Sequence, residues 1–391
     1  MNKNLFSQIK FENFLTKNKK KHKVKSELQK ILNKNTELIQ SFKREYRDKF
    51  SKKLIKKFKK FKKINIFGMG GSILGSRAIY NFLPKKINNI SFIDSFENRT
   101  STNFSKKDLN LIISKSGNTL ETISNSSALI KNWKNIILIS ENKNNYLINL
   151  ANELKSEIIH HNNYIGGRYS VLSEVGMLPA SLMGYDPKKF RKFNYLIKND
   201  NFYNSLIANV SCMFDLFKKN KTNSIILNYD KNSDDLFYWY QQLVAESLGK
   251  NKRGILPMIS PMPSDNHSLM QYYLDGPKNH FFTFFFTKEK SIKVNKMIRK
   301  KNYLNIESKS LNEISYAQFL ATKKVFKNNK IPFRSFEISK RTEETLSALF
   351  VFFILETILL GKLMKVNPFD QPAVELIKNE TKKFLKSRFY R

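Results

Sequence analysis

Cysteine is almost absent from this 391-residue chain, and long hydrophobic runs are absent as well. The single cysteine, Cys212, excludes an intrachain disulfide and favours a reducing compartment. No apolar run approaches the roughly 20 residues of a membrane span, and residues 1–21 lack the apolar core of a secretory signal. The five histidines and the lone cysteine show no metal-ligand spacing. These absences predict a cytoplasmic protein without a membrane partner or a metal.

Acidic residues are scarce: 32 Asp and Glu face 70 Lys and Arg, which gives a formal net charge of +38. Such a charge can serve nucleic acid, but the lysines are spread along the whole chain, as A- and T-rich codons would produce. The densest basic run, residues 52–63, predicts a surface helix rather than a membrane- or RNA-binding one, with an apolar stripe in the core: Leu54, Ile55, Phe58 and Phe61. We expect no nucleic-acid partner and a field that attracts phosphates.

Short apolar, β-branched runs alternate with helical stretches from residue 64 onward: 64–67, 90–94, 109–113, 136–140, 224–229, 281–287 and 333–338. This alternation predicts the α/β class, with parallel sheets covered by helices on both faces. The chain is also long for one core. We therefore expect two doubly wound, flavodoxin-like domains at 61–200 and 201–363, between a helical N-terminal segment at 1–60 and a C-terminal helical arm at 364–391.

A glycine-rich loop, GMGGSILG at 68–75, follows the first predicted strand, where ligands of open α/β sheets bind. It is close to a dinucleotide fingerprint, but Ile73 occupies the place of the third glycine. A tight strand-to-helix turn would also need glycines. In a third interpretation, the amides of Gly70 and Gly71 and the Ser72 hydroxyl face a phosphorylated ligand. The loop alone leaves these alternatives open.

A second loop, SKSGNTLET at 114–122, concentrates small donors where a strand turns into a helix: Ser114, Lys115, Ser116 and Thr119. Asn118 and Glu121 have the spacing of a capping pair. An ordinary capped helix would need one hydroxyl, whereas three hydroxyls beside a lysine suit a phosphate at a helix N-terminus. The stretch therefore favours a phosphate site.

Six motifs, in order, resemble those of the glucose-6-phosphate isomerase family and cover roughly residues 64–380. The two loops are similar to the signature loops of the sugar isomerase (SIS) fold. Four further stretches resemble G-G-R-[FY]-S-x-x-S-x-x-G, Q-x-x-x-E-S-x-G-K, H-S-x-x-Q-x-x-x-x-G and D-Q-x-x-V-E-x-x-K: 166–176, 242–250, 267–276 and 370–378. Many eukaryotic members have the pattern S-K-T-F-T-T in the second loop, whereas this chain has Gly117 and Asn118 in the middle of it. In this respect the chain resembles the short bacterial branch.

The resemblance implies a metal-free and cofactor-free isomerase of glucose 6-phosphate and fructose 6-phosphate, in glycolysis and gluconeogenesis. Glu246 would move a proton between C2 and C1 through a cis-enediolate, and Arg168 would face the C1–C2 oxygens. His267 and Lys378 would serve ring opening. The phosphate would be held, and the pocket lined, by Gly71, Ser72, Ser114, Lys115, Ser116, Thr119, Gln242 and Gln371. The family usually forms homodimers in which the histidine loop reaches the neighbour's site.

Residue chemistry agrees with these roles. A C–H proton beside a carbonyl calls for a carboxylate base, and Glu246 lies in an otherwise apolar helical segment, one turn after Gln242. An arginine can stabilise the enediolate, and a histidine suits proton shuttling near neutral pH. Taken singly, Glu246 and Lys378 would be surface residues and His267 a structural one. Two alternatives remain open: an isomerase that also or instead takes mannose 6-phosphate, and a non-catalytic sugar-phosphate sensor.

Overall fold

The computed structural model describes residues 8–14, 20–87, 89–96, 105–130, 132–295 and 306–387. Parts of the expected N-terminal segment, residues 1–7 and 15–19, lie outside the described residues, as does the end of the expected arm, 388–391.

Strands and helices alternate along most of the chain. The strands are β1 (Ile9–Glu12), β2 (Ile64–Phe67), β3 (Ile90–Ile93), β4 (Leu109–Ile113), β5 (Ile136–Glu141), β6 (Glu157–His161), β7 (Asn223–Asn228), β8 (Leu256–Pro261), β9 (His280–Thr287) and β10 (Phe333–Ile338). The helices are α1 (Lys21–Lys34), α2 (Glu37–Ser41), α3 (Lys52–Phe58), α4 (Leu74–Phe82), α5 (Leu120–Leu129), α6 (Tyr146–Leu154), α7 (Glu174–Leu182), α8 (Pro187–Phe190), α9 (Phe193–Lys198), α10 (Asp200–Lys218), α11 (Asp234–Leu248), α12 (Met270–Asp275), α13 (Leu311–Asn328), α14 (Glu343–Met364) and α15 (Val374–Lys386).

The first sheet has the strand order β3-β2-β4-β5-β6, and all of its pairs are parallel. Strands β2 and β4 are buried along their whole length, as continuous apolar runs covered by helices on both faces should be. The two strands are neighbours, with Phe67 opposite Ile112. Because the carboxyl ends of parallel strands meet at one edge, the glycine loop and the hydroxyl loop emerge side by side.

The second sheet has the order β1-β10-β9-β7-β8 and confirms the second α/β unit. Its pairs are parallel except that β1 runs antiparallel to β10, with Ile9 opposite Ile338. The N-terminal segment is therefore not only helical, because Ile9–Glu12 pairs with the edge of β10, which lies more than 320 residues later in the chain. Four residues gain strand structure here only by pairing with that distant edge.

The basic run supplies a surface helix, as expected. In α3 the side chains of Leu54 and Phe58 are buried and the lysines are exposed. The helix ends at Phe58, so Phe61, expected on the same apolar face, lies just beyond it. The lysines of α3 thus cover apolar surface while their ammonium groups stay in water.

Helix α14 forms much of the core. It spans 22 residues and is long and apolar enough to cross a membrane, which contradicts the expectation that no apolar run approaches that length. However, 94% of its apolar window is buried inside the protein. One hydrophobic cluster joins this helix to both sheets, including Ile66 of β2 and Phe336 of β10. Its apolar character therefore serves packing between the two sheets.

A buried ion pair ties α14 to the second sheet. Arg334 of β10 and Glu356 of α14 are both fully buried, and their side chains form a charged hydrogen-bonded pair. The Tyr240 hydroxyl donates to Glu356 over 3.0 Å, and Arg334 Nε donates to Thr283 over 3.0 Å. Burial and the neighbouring carboxylate raise the pKa of Tyr240, so its hydroxyl stays protonated.

We predict that Glu356→Ala destabilises the protein by about 3–5 kcal/mol, because it leaves the Arg334 guanidinium buried without its counter-ion. Urea unfolding followed by circular dichroism measures the change. Glu380→Ala is the matched control, since Glu380 pairs with Lys383 on the exposed surface of α15 and should change stability by less than about 1 kcal/mol. Equal effects of both substitutions would contradict the prediction.

Candidate active site

The glycine loop is pressed against the loop that carries Arg168. After β2, residues Gly70–Ser72 form a single 3-10 turn, and α4 begins at Leu74. A Cβ on Gly71 would stand 2.2 Å from the carbonyl carbon of Gly167 and 2.5 Å from the Arg168 nitrogen. Gly70 has a φ of +50° and lies against the Gln242 amide. The glycines therefore let two backbones and a side chain meet closely.

The hydroxyl loop leads into α5 and contains a close pair of hydroxyls. The oxygens of Ser114 and Thr119 are 2.8 Å apart, and Ser116 is exposed, with its hydroxyl accepting from the Asn118 nitrogen over 3.3 Å. Gly117 turns the chain with a φ of +67°. The ten-residue α5 starts after Thr119, which makes no side-chain capping bond. Small hydroxyls and the free amides of a helix start thus lie together.

The expected capping pair is wrong. The Asn118 side chain accepts from the Tyr146 nitrogen over 3.0 Å, so it ties the loop to α6 rather than capping α5 with Glu121. The sequence spacing fitted a capping box, but the helix begins one residue later than that motif requires.

Lys115 is engaged away from the hydroxyls. Its ammonium group pairs with Glu141 at 3.1 Å and donates to the Asn163 carbonyl over 3.1 Å. Burial acts to raise the pKa of Glu141, but hydrogen bonds from Lys115 and Lys143 outweigh it and hold that pKa below its usual range. The Lys115 charge, which the sequence predicted to lie near the phosphate, is therefore largely neutralised by the Glu141 carboxylate.

Arg168 is buried, and each of its N–H groups has an acceptor. Its side chain is 2% exposed. Nε donates to the Ser247 hydroxyl at 2.8 Å, Nη1 donates to Glu246 and Gln371 at 2.9 Å each, and Nη2 donates to the carbonyls of Pro368 at 2.7 Å and Asp370 at 3.0 Å. A guanidinium has five N–H groups, so the set is complete. Two separate parts of the chain, the end of α11 and residues 368–371, converge on this one side chain.

Glu246 lies between Arg168 and Gln242. One carboxylate oxygen accepts from Arg168 Nη1 at 2.9 Å, and the other accepts from Gln242 Nε2 at 3.0 Å. The Glu246 side chain remains 24% exposed. The amide oxygen of Gln242 is buried without a hydrogen-bond partner within the described residues. Both donors stabilise the ionised carboxylate, which still faces open space.

That space is a cavity of about 610 Å³ beside the end of α11. It is lined by α11, the turn after it and the segment that follows α14: Glu246, Gly249, Lys250, Asn251, Lys252, Arg253, Asn367, Asp370, Gln371, Pro372, Ala373 and Val374. Three cations, Lys250, Lys252 and Arg253, face two carboxylates, Glu246 and Asp370, so the lining carries a net positive charge that attracts anions. The phosphate-loop residues do not line this cavity, and they approach Glu246 through Gly70, Gly71 and Gln242.

Two predicted site residues lie apart from this cluster. His267 is exposed at the end of the 3-10 turn Ser264–Asn266, after the edge strand β8. Lys378 is exposed on α15 and pairs with Glu375 on the same helix at 2.6 Å. The side-chain partners of Glu246 within the described parts of the protomer are Arg168 and Gln242. The protomer therefore brings Arg168, Glu246, Gln242 and Gln371 together, but not His267 and Lys378.

Several residues of the cluster were missed from the sequence. Ser247 and Tyr169 lie beside Arg168. The Ser247 hydroxyl accepts from Arg168 Nε, and the Ser247 and Tyr169 hydroxyls are 2.8 Å apart. Lys250 binds the segment at 367–370. Their positions inside two motifs were the only available signal, since Ser247 follows Glu246 and Tyr169 follows Arg168. No spacing rule could show that backbone carbonyls of Pro368 and Asp370 complete the arginine site.

The fold is of the sugar isomerase (SIS) class, with two sheets of mainly parallel strands. Its glycine loop lies against the loop that carries Arg168, and Arg168 pairs with Glu246. The fold is similar to that of a hypothetical protein from Thermus thermophilus, with a TM-score of 0.81 and 20% identity over 94% of this chain and 96% of that one. It also resembles a glucose-6-phosphate isomerase from Chlamydia trachomatis, with a TM-score of 0.65 and 18% identity over 85% of this chain and 71% of that one.

Sequence comparison gives the particular family. The phosphoglucose isomerase family model matches residues 13–255, a stretch that includes both loops, Arg168 and Glu246. The chain is 34% identical to a glucose-6-phosphate isomerase of Methanocaldococcus jannaschii over 81% of this chain and 82% of that protein. It is 32% identical to one of Mycoplasmopsis pulmonis, over 83% and 82%. The chain therefore belongs to the phosphoglucose isomerase family and is an isomerase.

We predict that Gly71→Ala lowers isomerase activity by about a hundredfold, because the new Cβ must push the Gly167–Arg168 backbone away, and a displacement of about 1 Å in an active site costs that much. Steady-state turnover measures the loss. Gly167→Ala is the matched control: a Cβ there meets nothing within 4 Å, and activity should stay within about twofold of wild type. Similar losses in both variants would refute the steric explanation.

Proposed function

We propose that the protein interconverts glucose 6-phosphate and fructose 6-phosphate by proton transfer between C2 and C1. The observation that carries this proposal is the carboxylate of Glu246, held between Arg168 and Gln242 and open to the 610 Å³ cavity. A fixed base beside a fixed cation is what aldose–ketose isomerisation needs. We further propose that the enzyme acts in the cytoplasm, in glycolysis and gluconeogenesis.

The substrate phosphate would lie between the two loops of the first sheet. Ser72, Ser114, Ser116 and Thr119 offer hydroxyls, and the backbone at Gly71 and the start of α5 offers amides. Partial positive charge at a helix start favours a dianion. Lys115, paired with Glu141, would contribute to the field around the loop or leave that pair to reach the phosphate.

The chemistry would follow from the position of Arg168. An oxygen of the open-chain sugar would replace the Gln371 amide oxygen at Arg168 Nη1, which brings the C1–C2 unit beside Glu246. The Glu246 carboxylate would take the proton from C2, leaving a cis-enediolate, and would return it to C1, while the hydroxyl proton of O2 passes to O1. Arg168 would stabilise the negative oxygen, a kind of contact whose removal costs about a hundred- to thousandfold in rate.

Ring opening would require His267 and Lys378, and we propose that a homodimer brings His267 to the site of its partner. Support comes from the surface around it, where large apolar side chains are exposed on the edge strand β8 and on the turn and helix that follow: Leu256, Met258, Leu269 and Tyr272. Clustered exposed apolar residues mark interaction surfaces. Helix α15, which carries Lys378, has no buried residue and has room to move.

We predict that Glu246→Gln reduces turnover of fructose 6-phosphate by several orders of magnitude, because an amide cannot accept the C2 proton. A coupled assay in the presence of EDTA measures it, and we expect the chelator to leave wild-type turnover unchanged. Glu153→Gln, an exposed glutamate on α6, is the control and should retain full activity.

Other outcomes of this assay favour the alternatives. A folded wild type that binds sugar phosphate without turnover would support a non-catalytic sensor. Turnover of mannose 6-phosphate in competition with glucose 6-phosphate would support an isomerase of both aldoses, since both differ only at C2.

We predict that two inactive variants, Glu246→Gln and His267→Ala, restore activity when co-expressed and assembled together. If His267 acts across the dimer, each mixed dimer holds one complete site of two, so a purified mixed dimer should have about half the activity of a wild-type dimer, and the unpurified random mixture about one quarter. Purification through two different tags isolates the mixed dimers, and activity per dimer is then measured. Mixed dimers as inactive as either parent would place His267 in its own protomer's site or outside the chemistry.

A further inference from the structure

We propose that Lys250 is a positioning residue for this isomerase: its ammonium group fixes residues 367–371 against the end of α11 and thereby sets the orientation of Arg168. The inference rests on the proposed function, in which Arg168 stabilises the enediolate. Lys250 would not touch the sugar itself. It would act through the backbone carbonyls that accept from the arginine.

Lys250 joins two parts of the chain that are more than 100 residues apart. Its ammonium donates to the Ser247 carbonyl at 2.9 Å, which belongs to the last turn of α11, and to the Asn367 carbonyl at 2.5 Å. It also forms an ion pair with Asp370 at 3.1 Å. The Lys250 side chain is 11% exposed, so solvent screens these contacts only in part. An ammonium has three N–H donors, and three acceptors are in place.

The segment that Lys250 holds supplies three of the five acceptors of Arg168. These are the carbonyls of Pro368 and Asp370 and the side-chain oxygen of Gln371. A guanidinium is planar, and its donors form a rigid fork, so the placement of two carbonyls on Nη2 fixes the direction in which Nη1 points. Nη1 is the group that meets Glu246 and, in the proposed reaction, the sugar oxygen.

Few other contacts secure this segment. Asn367, Phe369, Asp370 and Gln371 are exposed, and α15 beyond them has no buried residue that could anchor it. Besides Arg168 and Lys250, the segment is attached by Pro368, which is buried against Gly361 of α14, and by Tyr169, whose hydroxyl donates to the Pro368 carbonyl at 2.8 Å. The Tyr169 ring also packs against Phe369, with centroids 5.5 Å apart.

Lys250 also determines which carboxylate Arg168 meets. The hydrogen bond from Lys250 lowers the pKa of Asp370, and the Arg168 charge contributes in the same direction, so Asp370 is ionised close to the guanidinium. With Lys250 present, the Asp370 carboxylate pairs with the lysine, and its backbone carbonyl faces Arg168. The Asn367 amide also donates to the Asp370 carboxylate at 2.8 Å. Without Lys250, this neutral contact would have to hold the carboxylate away from Arg168, where it would compete with Glu246 and the substrate.

The first test is Lys250→Met, which keeps the length of the side chain and removes its charge and donors. We expect kcat to fall by about tenfold to a hundredfold, as for a catalytic group displaced by about 1 Å, and KM to stay within about twofold, because the phosphate loops are untouched. Lys250→Arg should recover part of kcat. Lys362→Met, an exposed lysine near the end of α14, is the matched control and should behave as wild type.

A double-mutant cycle distinguishes positioning from general destabilisation. In an Arg168→Lys background the fork that Lys250 is proposed to orient no longer exists, so Lys250→Met should reduce kcat no further. If the two substitutions together reduce kcat by the product of their separate effects, the inference is overturned. Tyr169→Phe removes the other anchor of the segment and should show the same loss in kcat at constant KM, so it carries the test if Lys250→Met does not fold.

The outcomes separate this inference from the proposed function. A wild type without isomerase turnover would overturn both. An active wild type with unchanged kcat in Lys250→Met and in Tyr169→Phe would overturn only the positioning role of Lys250. A rise in KM without a fall in kcat would also overturn it, because that pattern belongs to lost binding of the ground state.

Discussion

The guanidinium of Arg168 is the point on which the active site depends. A charge buried to 2% exposure is tolerated only when its hydrogen bonds are satisfied, and here all five donors have acceptors. Those acceptors come from the end of α11 and from the segment after α14. Arg168 itself directly follows Gly167, against which the glycine loop packs. One side chain therefore joins both halves of the chain, and any shift of one half moves the charge that faces Glu246.

The first sheet brings the glycine loop and the hydroxyl loop together through strand order alone. Because β2 and β4 are parallel neighbours, the glycine loop and the hydroxyl loop leave the same edge side by side. Gly71 then lets the backbone of one loop lie against the backbone of Gly167 and Arg168. Gly71, which the sequence predicted to hold the phosphate, thus has a steric role, because it lets the glycine loop lie against the backbone that carries Arg168.

The protomer separates a rigid part of the site from two exposed residues. Arg168, Glu246 and Gln242 are locked by mutual hydrogen bonds, while His267 and Lys378 lie on the surface, on an edge-strand turn and on a helix without buried residues. This division agrees with the proposed reaction, in which proton transfer at C1–C2 needs fixed geometry and the proposed ring-opening groups come from outside the rigid cluster.

Local patterns in the chain were sufficient for the α/β class and the strands that carry the loops. The family resemblance named Arg168, Glu246, Gln242 and Gln371, and these four side chains lie together in the structure. Strand runs and loop motifs are properties of consecutive residues, so they can be recognised from the sequence alone. Other features arose only on folding. The strand at Ile9–Glu12 exists because it pairs with the edge of β10. Lys115 pairs with Glu141 because their strands are adjacent, and Asn118 bonds to the start of α6 instead of capping α5. The carbonyls of Pro368 and Asp370 accept from Arg168, and Lys250 and Tyr169 bond to the same distant segment. Backbone carbonyls carry no residue identity, so only the tertiary structure could decide which of them would complete the arginine site.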